Sequence, residues 1–135
     1  MICHSKVAAV SILGSRILVV DDEPEVRELV ETILDDAGFA VASAKDGPAA
    51  LQIIETDPVD LAVVDMRLPG EFDGPETVRR ARAKHPSLKA LFISGAESAP
   101  NRCDPGRDDF VPKPFCPREL LGCVFELLLR NSEHW

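Results

Sequence analysis

Apolar residues along this chain follow two rhythms. The run Leu61-Ala62-Val63-Val64, apolar without alternation, reads as a strand buried on both faces, and Arg16-Ile17-Leu18-Val19-Val20 and Leu88-Lys89-Ala90-Leu91-Phe92-Ile93 read as further strands. Between them, apolar residues recur at helical spacing. Val26, Leu29, Val30, Ile33, Leu34 and Ala37 predict one buried helix face. Pro24 suits the first turn of that helix, and Gly38 is placed to end it with a left-handed cap. Residues 39–44 form a weaker strand, and Asp46-Gly47-Pro48 turns into a second helix carrying Ala50, Leu51, Ile53 and Ile54.

Asp73-Gly74-Pro75 then opens a third helix expected to run to about His85, where Pro86 stops it. Residues 95–107 hold Pro100, Pro105 and Gly106, so a loop or at most one helical turn is expected there. Asp109-Phe110-Val111-Pro112 is a short fifth strand, and its proline suggests a sheet edge. A last helix follows from about Pro117 to Arg130. Strand and helix thus alternate five times with the fourth helix short or missing, the signature of a parallel α/β sheet with helices on both faces.

The 135 residues fit one domain, residues 16–131, with an extension at 1–15 and a tail at 132–135. The extension reads as loosely docked, because no small-residue cleavage site follows its short apolar stretch. A net charge of −8 argues against a nucleic-acid surface. No apolar run approaches the ~20 residues that span a bilayer. Cys3, Cys103, Cys116 and Cys123 show neither a C-x-x-C pair nor histidines at ligand spacing, which fits a reduced, cytoplasmic compartment.

The chemistry gathers where the strands end. Parallel strands point their carboxyl ends to one rim, so Asp21, Asp22, Asp65, Ser94 and Lys113 are expected to converge there. Two carboxylates ~4 Å apart repel by about 4 kcal/mol at an effective dielectric near 20. A cation is therefore required, and oxygen-only ligands suit Mg²⁺ or Mn²⁺. Lys113 supplies one positive charge and Ser94 a hydroxyl donor. Such a set can accept a phosphoryl group on an acyl oxygen. Singly, each residue has a plainer reading: the paired acids as a helix cap, Ser94 as a turn residue, Lys113 as a solvated charge and Phe110 as core.

Taken together, Val19-Val20-Asp21-Asp22-Glu23, Val64-Asp65-Met66-Arg67-Leu68-Pro69, Ser94-Gly95-Ala96 and Val111-Pro112-Lys113-Pro114-Phe115 resemble the response-regulator receiver family of two-component signalling. The resemblance covers residues 16 to about 130. It implies a flavodoxin-like, doubly wound five-stranded parallel sheet in the order 2-1-3-4-5. It also implies that Asp65 is the phosphoacceptor and that Asp21, Asp22, Asp65 and the backbone carbonyl of Arg67 hold Mg²⁺. Ser94 and Lys113 would bond the phosphoryl oxygens, and Phe110 would be the switch aromatic. The implied partner is a sensor histidine kinase or a histidine phosphotransfer protein.

Three departures stand out. The turn after Pro69 carries one residue more than is usual, the Ser94–Lys113 interval is short, and Arg67 lies two residues after the phosphoacceptor. With the last helix close to the chain end, the expectation is a stand-alone regulator that signals by protein contacts or phosphorelay and is not a turnover enzyme. A non-phosphorylated pseudo-receiver serving as a scaffold is the alternative. A phosphatase of the haloacid-dehalogenase type fits less well, because Arg67 occupies the place of its second acid. In the last helix, Leu120, Cys123, Val124 and Leu127 share one arc, with Leu121 and Leu128 at its edge and Phe125 and Leu129 beyond. That excess of apolar side chains suggests a homodimer through the last helix or cover by residues 95–107.

Overall fold

A computed structural model describes residue 12, residues 14–95 and residues 106–130. Five parallel strands form one sheet in the order β2-β1-β3-β4-β5. They are β1 (Arg16–Val20), β2 (Ala40–Ala44), β3 (Leu61–Asp65), β4 (Lys89–Ser94) and β5 (Asp108–Pro112). Four helices accompany them: α1 (Pro24–Asp36), α2 (Gly47–Thr56), α3 (Gly74–Arg82) and α4 (Pro117–Leu129). The strand order and the edge position of β5 are as expected. The expectation for residues 95–107 falls mostly on 96–105, which lie outside the described residues, as do residues 131–135.

The sheet has two cores because side chains alternate along each strand. Ile17, Val19, Leu61, Val63, Leu91, Ile93 and Val111 point to one face, where Val30, Ile33 and Leu34 of α1 and Leu120, Val124 and Leu127 of α4 cover them. Leu18, Val20, Ala62, Val64, Ala90 and Phe92 point to the other, beneath Ala50 and Ile54 of α2 and Val78 and Ala81 of α3. Every residue of β3 is buried, as a run without alternation demands, and so is every residue of β4, Lys89 included. Ile12, ahead of β1, is also buried in the first core, and the Ser15 carbonyl accepts from the Ala40 amide at 3.1 Å.

The α1 terminus shows how sequence becomes geometry. Gly38 stands at φ +101°, a left-handed conformation that suits glycine. Its amide donates to Asp35 and the Phe39 amide to Leu34, which closes the helix in a Schellman motif. Phe39, delivered by that turn, packs with Leu34 in the core.

Three expectations need correction. Leu29 is half exposed and does not join the buried face of α1. At 100° per residue it lies roughly 85° from the centre of the arc formed by the other five apolar residues. Phe125 is not left in water either: its ring meets that of Phe39 at 5.6 Å, leaving Leu129 as the exposed large apolar residue of α4. And α3 ends at Arg82, short of His85. Pro86 disfavours helical backbone at the residue before it, and the Arg82 side chain turns to other partners.

Those partners sit at the base of the sheet, away from the acid rim. Arg82 donates from Nε to the Leu88 carbonyl at 2.9 Å and from Nη2 to Asp108 Oδ1 at 2.5 Å. Asp108 is buried, and its carbonyl accepts from Arg130 Nη1 at 3.1 Å. Buried Lys89 donates to the Arg130 carbonyl at 2.5 Å, satisfying the exit of α4. Burial first, then nearby Arg130, holds the Lys89 ammonium below its ordinary pKa. Asp108→Ala or Arg82→Met is expected to cost about 3–5 kcal/mol each in urea unfolding, because either breaks the largely buried Arg82–Asp108 ion pair. The double variant should cost clearly less than the sum.

Candidate phosphoacceptor and metal site

The carboxyl ends of β1 and β3 lie side by side, with Val20 in register with Val64. Each strand is followed by an acid, Asp21 after β1 and Asp65 as the last residue of β3. Oxygens of Asp21, Asp22 and Asp65 all lie within 4.8 Å of one another. Asp21 and Asp65 are buried and Asp22 is exposed, so the cluster opens to solvent through Asp22. On the other side, β4 ends in buried Ser94, paired in register with Pro112. The Lys113 amide donates to the Ser94 carbonyl at 2.8 Å, so these two predicted residues are tied together by the main chain.

Charge balance at this rim is incomplete. Asp65 Oδ1 accepts from the Arg67 amide at 3.0 Å, and Oδ2 faces Lys113 Nζ at 3.2 Å. Asp21 Oδ1 accepts from the Glu23 amide at 2.9 Å, while its Oδ2 is buried without a partner among the described residues. Burial, with a smaller push from Asp65, raises the Asp21 carboxyl from 3.8 to about 6 against the relief of the Glu23 amide. Burial alone would lower the Lys113 pKa, but Asp65, Asp21 and Glu23 together hold it above its ordinary value. A buried carboxylate oxygen without a donor, facing two more carboxylates, fits a hard divalent cation.

Two participants were missed in the sequence. Glu23 begins α1 but its side chain does not cap the helix; Oε1 instead meets Lys113 Nζ at 3.3 Å. Arg27 donates from Nη1 to the Asp21 carbonyl at 2.8 Å and so holds the turn that carries both acids. Its place one helical turn after Glu23 was the available signal. Phe110 is exposed on β5, in register with Phe92. The Arg67 side chain is exposed and makes no ion pair among the described residues. The longer turn after Pro69 is anchored by Phe72, which is buried, with the Arg80 guanidinium 4.1 Å above its ring.

A family profile described as the response regulator receiver domain matches residues 17–125. The chain belongs to the response regulator receiver family. The response regulator MprA of Mycolicibacterium vanbaalenii is 39% identical over 120 residues, which span 87% of this chain and 52% of that protein. MprA of Mycobacterium ulcerans is 40% identical over 123 residues, spanning 89% and 53%. This receiver chain therefore spans about half the length of the curated relatives it matches. A putative response regulator from Chloroflexus aurantiacus superposes with a TM-score of 0.74 at 30% identity, covering 87% of this chain and 99% of that one. A CheY-like receiver domain protein from Methanospirillum hungatei gives 0.75 at 30%, covering 85% and 94%. Receivers belong to two-component response regulators, interact with histidine kinases and generally bind Mg²⁺ at an acidic pocket. No helix among the described residues is long and apolar enough to cross a membrane.

The raised Asp21 pKa sets a testable sign. In the metal-free receiver, ionised Asp21 is disfavoured by folding, so stability should fall as pH rises from about 4 through about 6. Asp21→Asn should therefore stabilise the metal-free protein at pH 7.5 by about 1–3 kcal/mol in urea unfolding and flatten that pH dependence. A variant less stable than wild type in EDTA would contradict the charge imbalance.

Proposed function

We propose that this receiver accepts a phosphoryl group on Asp65 from a phosphohistidine of a sensor kinase or histidine phosphotransfer protein. The observation that carries the reading is the pairing of Asp65 Oδ2 with Lys113 Nζ beside the partnerless oxygen of Asp21. Asp65 Oδ2 attacks phosphorus, the P–N bond breaks, and the imidazole leaves. Lys113 moves with the incoming charge from the carboxylate to a phosphoryl oxygen, and the Ser94 hydroxyl donates to another. Asp21, Asp22, Asp65 and the Arg67 carbonyl would hold Mg²⁺ or Mn²⁺. The ion supplies the positive charge that three acids and a phosphate of about −1.5 to −2 require.

The switch follows from the same charges. Ser94 drawn toward the phosphate leaves room beside β4, and exposed Phe110 on the neighbouring strand turns inward to take it. The outer surface of β5 then changes shape, and output passes through protein contacts there. The phosphoryl group is lost by hydrolysis, so the domain is a carrier of state and not a turnover enzyme. Its chemistry belongs with ATP-fed kinases in the cytoplasm. The acid cluster and the Asp65–Lys113 pair support this reading over a non-phosphorylated pseudo-receiver. The homodimer through Leu121, Phe125, Leu128 and Leu129 loses half its support once Phe125 packs on Phe39.

Acetyl phosphate with Mg²⁺ should label the wild type, and Asp65→Asn or added EDTA should abolish labelling. Full labelling of Asp65→Asn would end the assignment. Arg67 sets a second expectation. Its amide is bonded to Asp65 while its side chain is free to lie over the acyl phosphate, where the guanidinium fork would hold phosphate oxygens and hinder water. Arg67→Ala should shorten the half-life of the label several-fold, and an unchanged or longer half-life would remove that role.

A further inference from the structure

The turn after β3 is a loop that closes on itself. The Gly74 amide donates to the Met66 carbonyl at 3.1 Å, so the two ends of residues 66–74 meet beside the Asp65 main chain. Arg67 lies inside this loop and is joined to it by the bond from its amide to Asp65 Oδ1. Gly74 is buried at the first position of α3. A Cβ placed there would stand 2.2 Å from the Asp65 carbonyl oxygen, 3.0 Å from its carbonyl carbon and 3.1 Å from Met66 Cα. All three are main-chain atoms and cannot rotate aside. At Gly70, Gly95 and Gly122, by contrast, a Cβ would meet nothing within 4 Å.

We infer that Gly74 is a positioning residue for the chemistry of Asp65: its bare Cα lets the first turn of α3 rest on the Asp65 carbonyl and so holds the loop that carries Arg67. The inference rests on the reading of Asp65 and its acid neighbours as phosphoacceptor and metal ligands. A side chain at Gly74 would have to displace one of two anchored parts. The start of α3 is fixed by Asp73, which accepts at Oδ1 from the Glu76 amide and at its carbonyl from Thr77 Oγ1. Below it, Val78 and Ala81 are buried in the core. The end of β3 is held between β1 and β4. Relieving a 2.2 Å contact needs a shift of roughly 1 Å, and packed structure absorbs little of that. The weakest part is the loop itself, so the displacement passes to Arg67 and to the Asp65 carboxylate. A site of this kind tolerates only about 0.5 Å of misplacement.

The test is Gly74→Ala beside Gly122→Ala, with three measurements: urea unfolding, Mg²⁺ titration followed by the amide signals of Asp65 and Arg67, and labelling by acetyl phosphate. In Gly74→Ala that still folds cooperatively, the half-saturating Mg²⁺ concentration should rise at least tenfold in both titration and labelling. Gly122→Ala should match wild type in both. A glycine needed only for stability would lower the urea midpoint and leave the Mg²⁺ midpoint of the folded protein unchanged, which overturns the inference. If Gly74→Ala does not fold, hydrogen exchange on the wild type decides. A closed loop linked to the metal should slow exchange of the Gly74 amide about tenfold at ten times the Mg²⁺ dissociation constant. Exchange indifferent to Mg²⁺ overturns the inference. A wild type that neither titrates with Mg²⁺ nor labels overturns the reading of Asp65 itself, an outcome distinct from a Gly74→Ala that performs like its parent.

Discussion

The structure is organised around negative charge that its own residues do not balance. Parallel strands with helical crossovers deliver their carboxyl ends to one rim, and here two adjacent strands deliver acids into it. Asp21 is fully buried with one oxygen lacking a donor among the described residues, and Lys113 is shared between Asp65 and Glu23. Such a rim is costly for the fold alone, because desolvation penalises every charge placed there. Under the proposed function it would become useful on binding a divalent cation and a phosphoryl group, since each supplies what the other lacks. The same imbalance accounts for the raised pKa of Asp21 and for Lys113 being held protonated.

What surrounds the rim is built to keep it in place. Bonds from the Glu23 and Arg67 amides fix one oxygen each on Asp21 and Asp65, leaving the second oxygen of each facing the site. Arg27 grips the main chain of Asp21 from α1, so the helix that starts beside the acids also restrains them. The loop from β3 to α3 is longer than the usual turn, yet Phe72 buries its middle and Gly74 closes its end. Insertions in loops are cheap when the chain on either side is anchored. That is why an additional residue here need not disturb the acyl oxygen three ångströms from Lys113.

Most of the frame was legible in the sequence, for a definite reason. Buried parallel strands need apolar runs, and their ends need turn residues, so β1, β3 and β4 and the polar residues that end them could be placed from the pattern of the chain. Charged pairs across the fold could not. Nothing in the sequence of Arg82 or Asp108 says that they meet, because they are brought together only when β4 and β5 pair. Side-chain reach was the other gap. Helical angles put Phe125 outside the core arc, but an aromatic ring long enough to reach Phe39 is partly buried all the same. Leu29, with a shorter side chain, stays half exposed although it lies nearer the centre of its own arc. Glu23 looked like a helix-terminal acid, and only the crossing from β5 reveals it as a counter-ion of Lys113.

The two ends of the sheet differ in kind, and a switch depends on that difference. At the base, Arg82, Asp108, Arg130 and Lys89 interlock buried side chains with main-chain carbonyls, tying the start of β5 to α3 and to the exit of α4. At the rim, Phe110 is exposed on its strand and Lys113 spans two acids at 3.2 and 3.3 Å, contacts that an incoming anion can outbid. A strand clamped at one end and loosely held at the other can respond to a charge at its free end without losing register. Local stability in proteins is uneven in this way, and moving elements come from its low end. If Asp65 is phosphorylated as proposed, the ion-pair cluster at the base would serve the response by not moving: it would confine the change to the rim half of β5, where Phe110 is exposed.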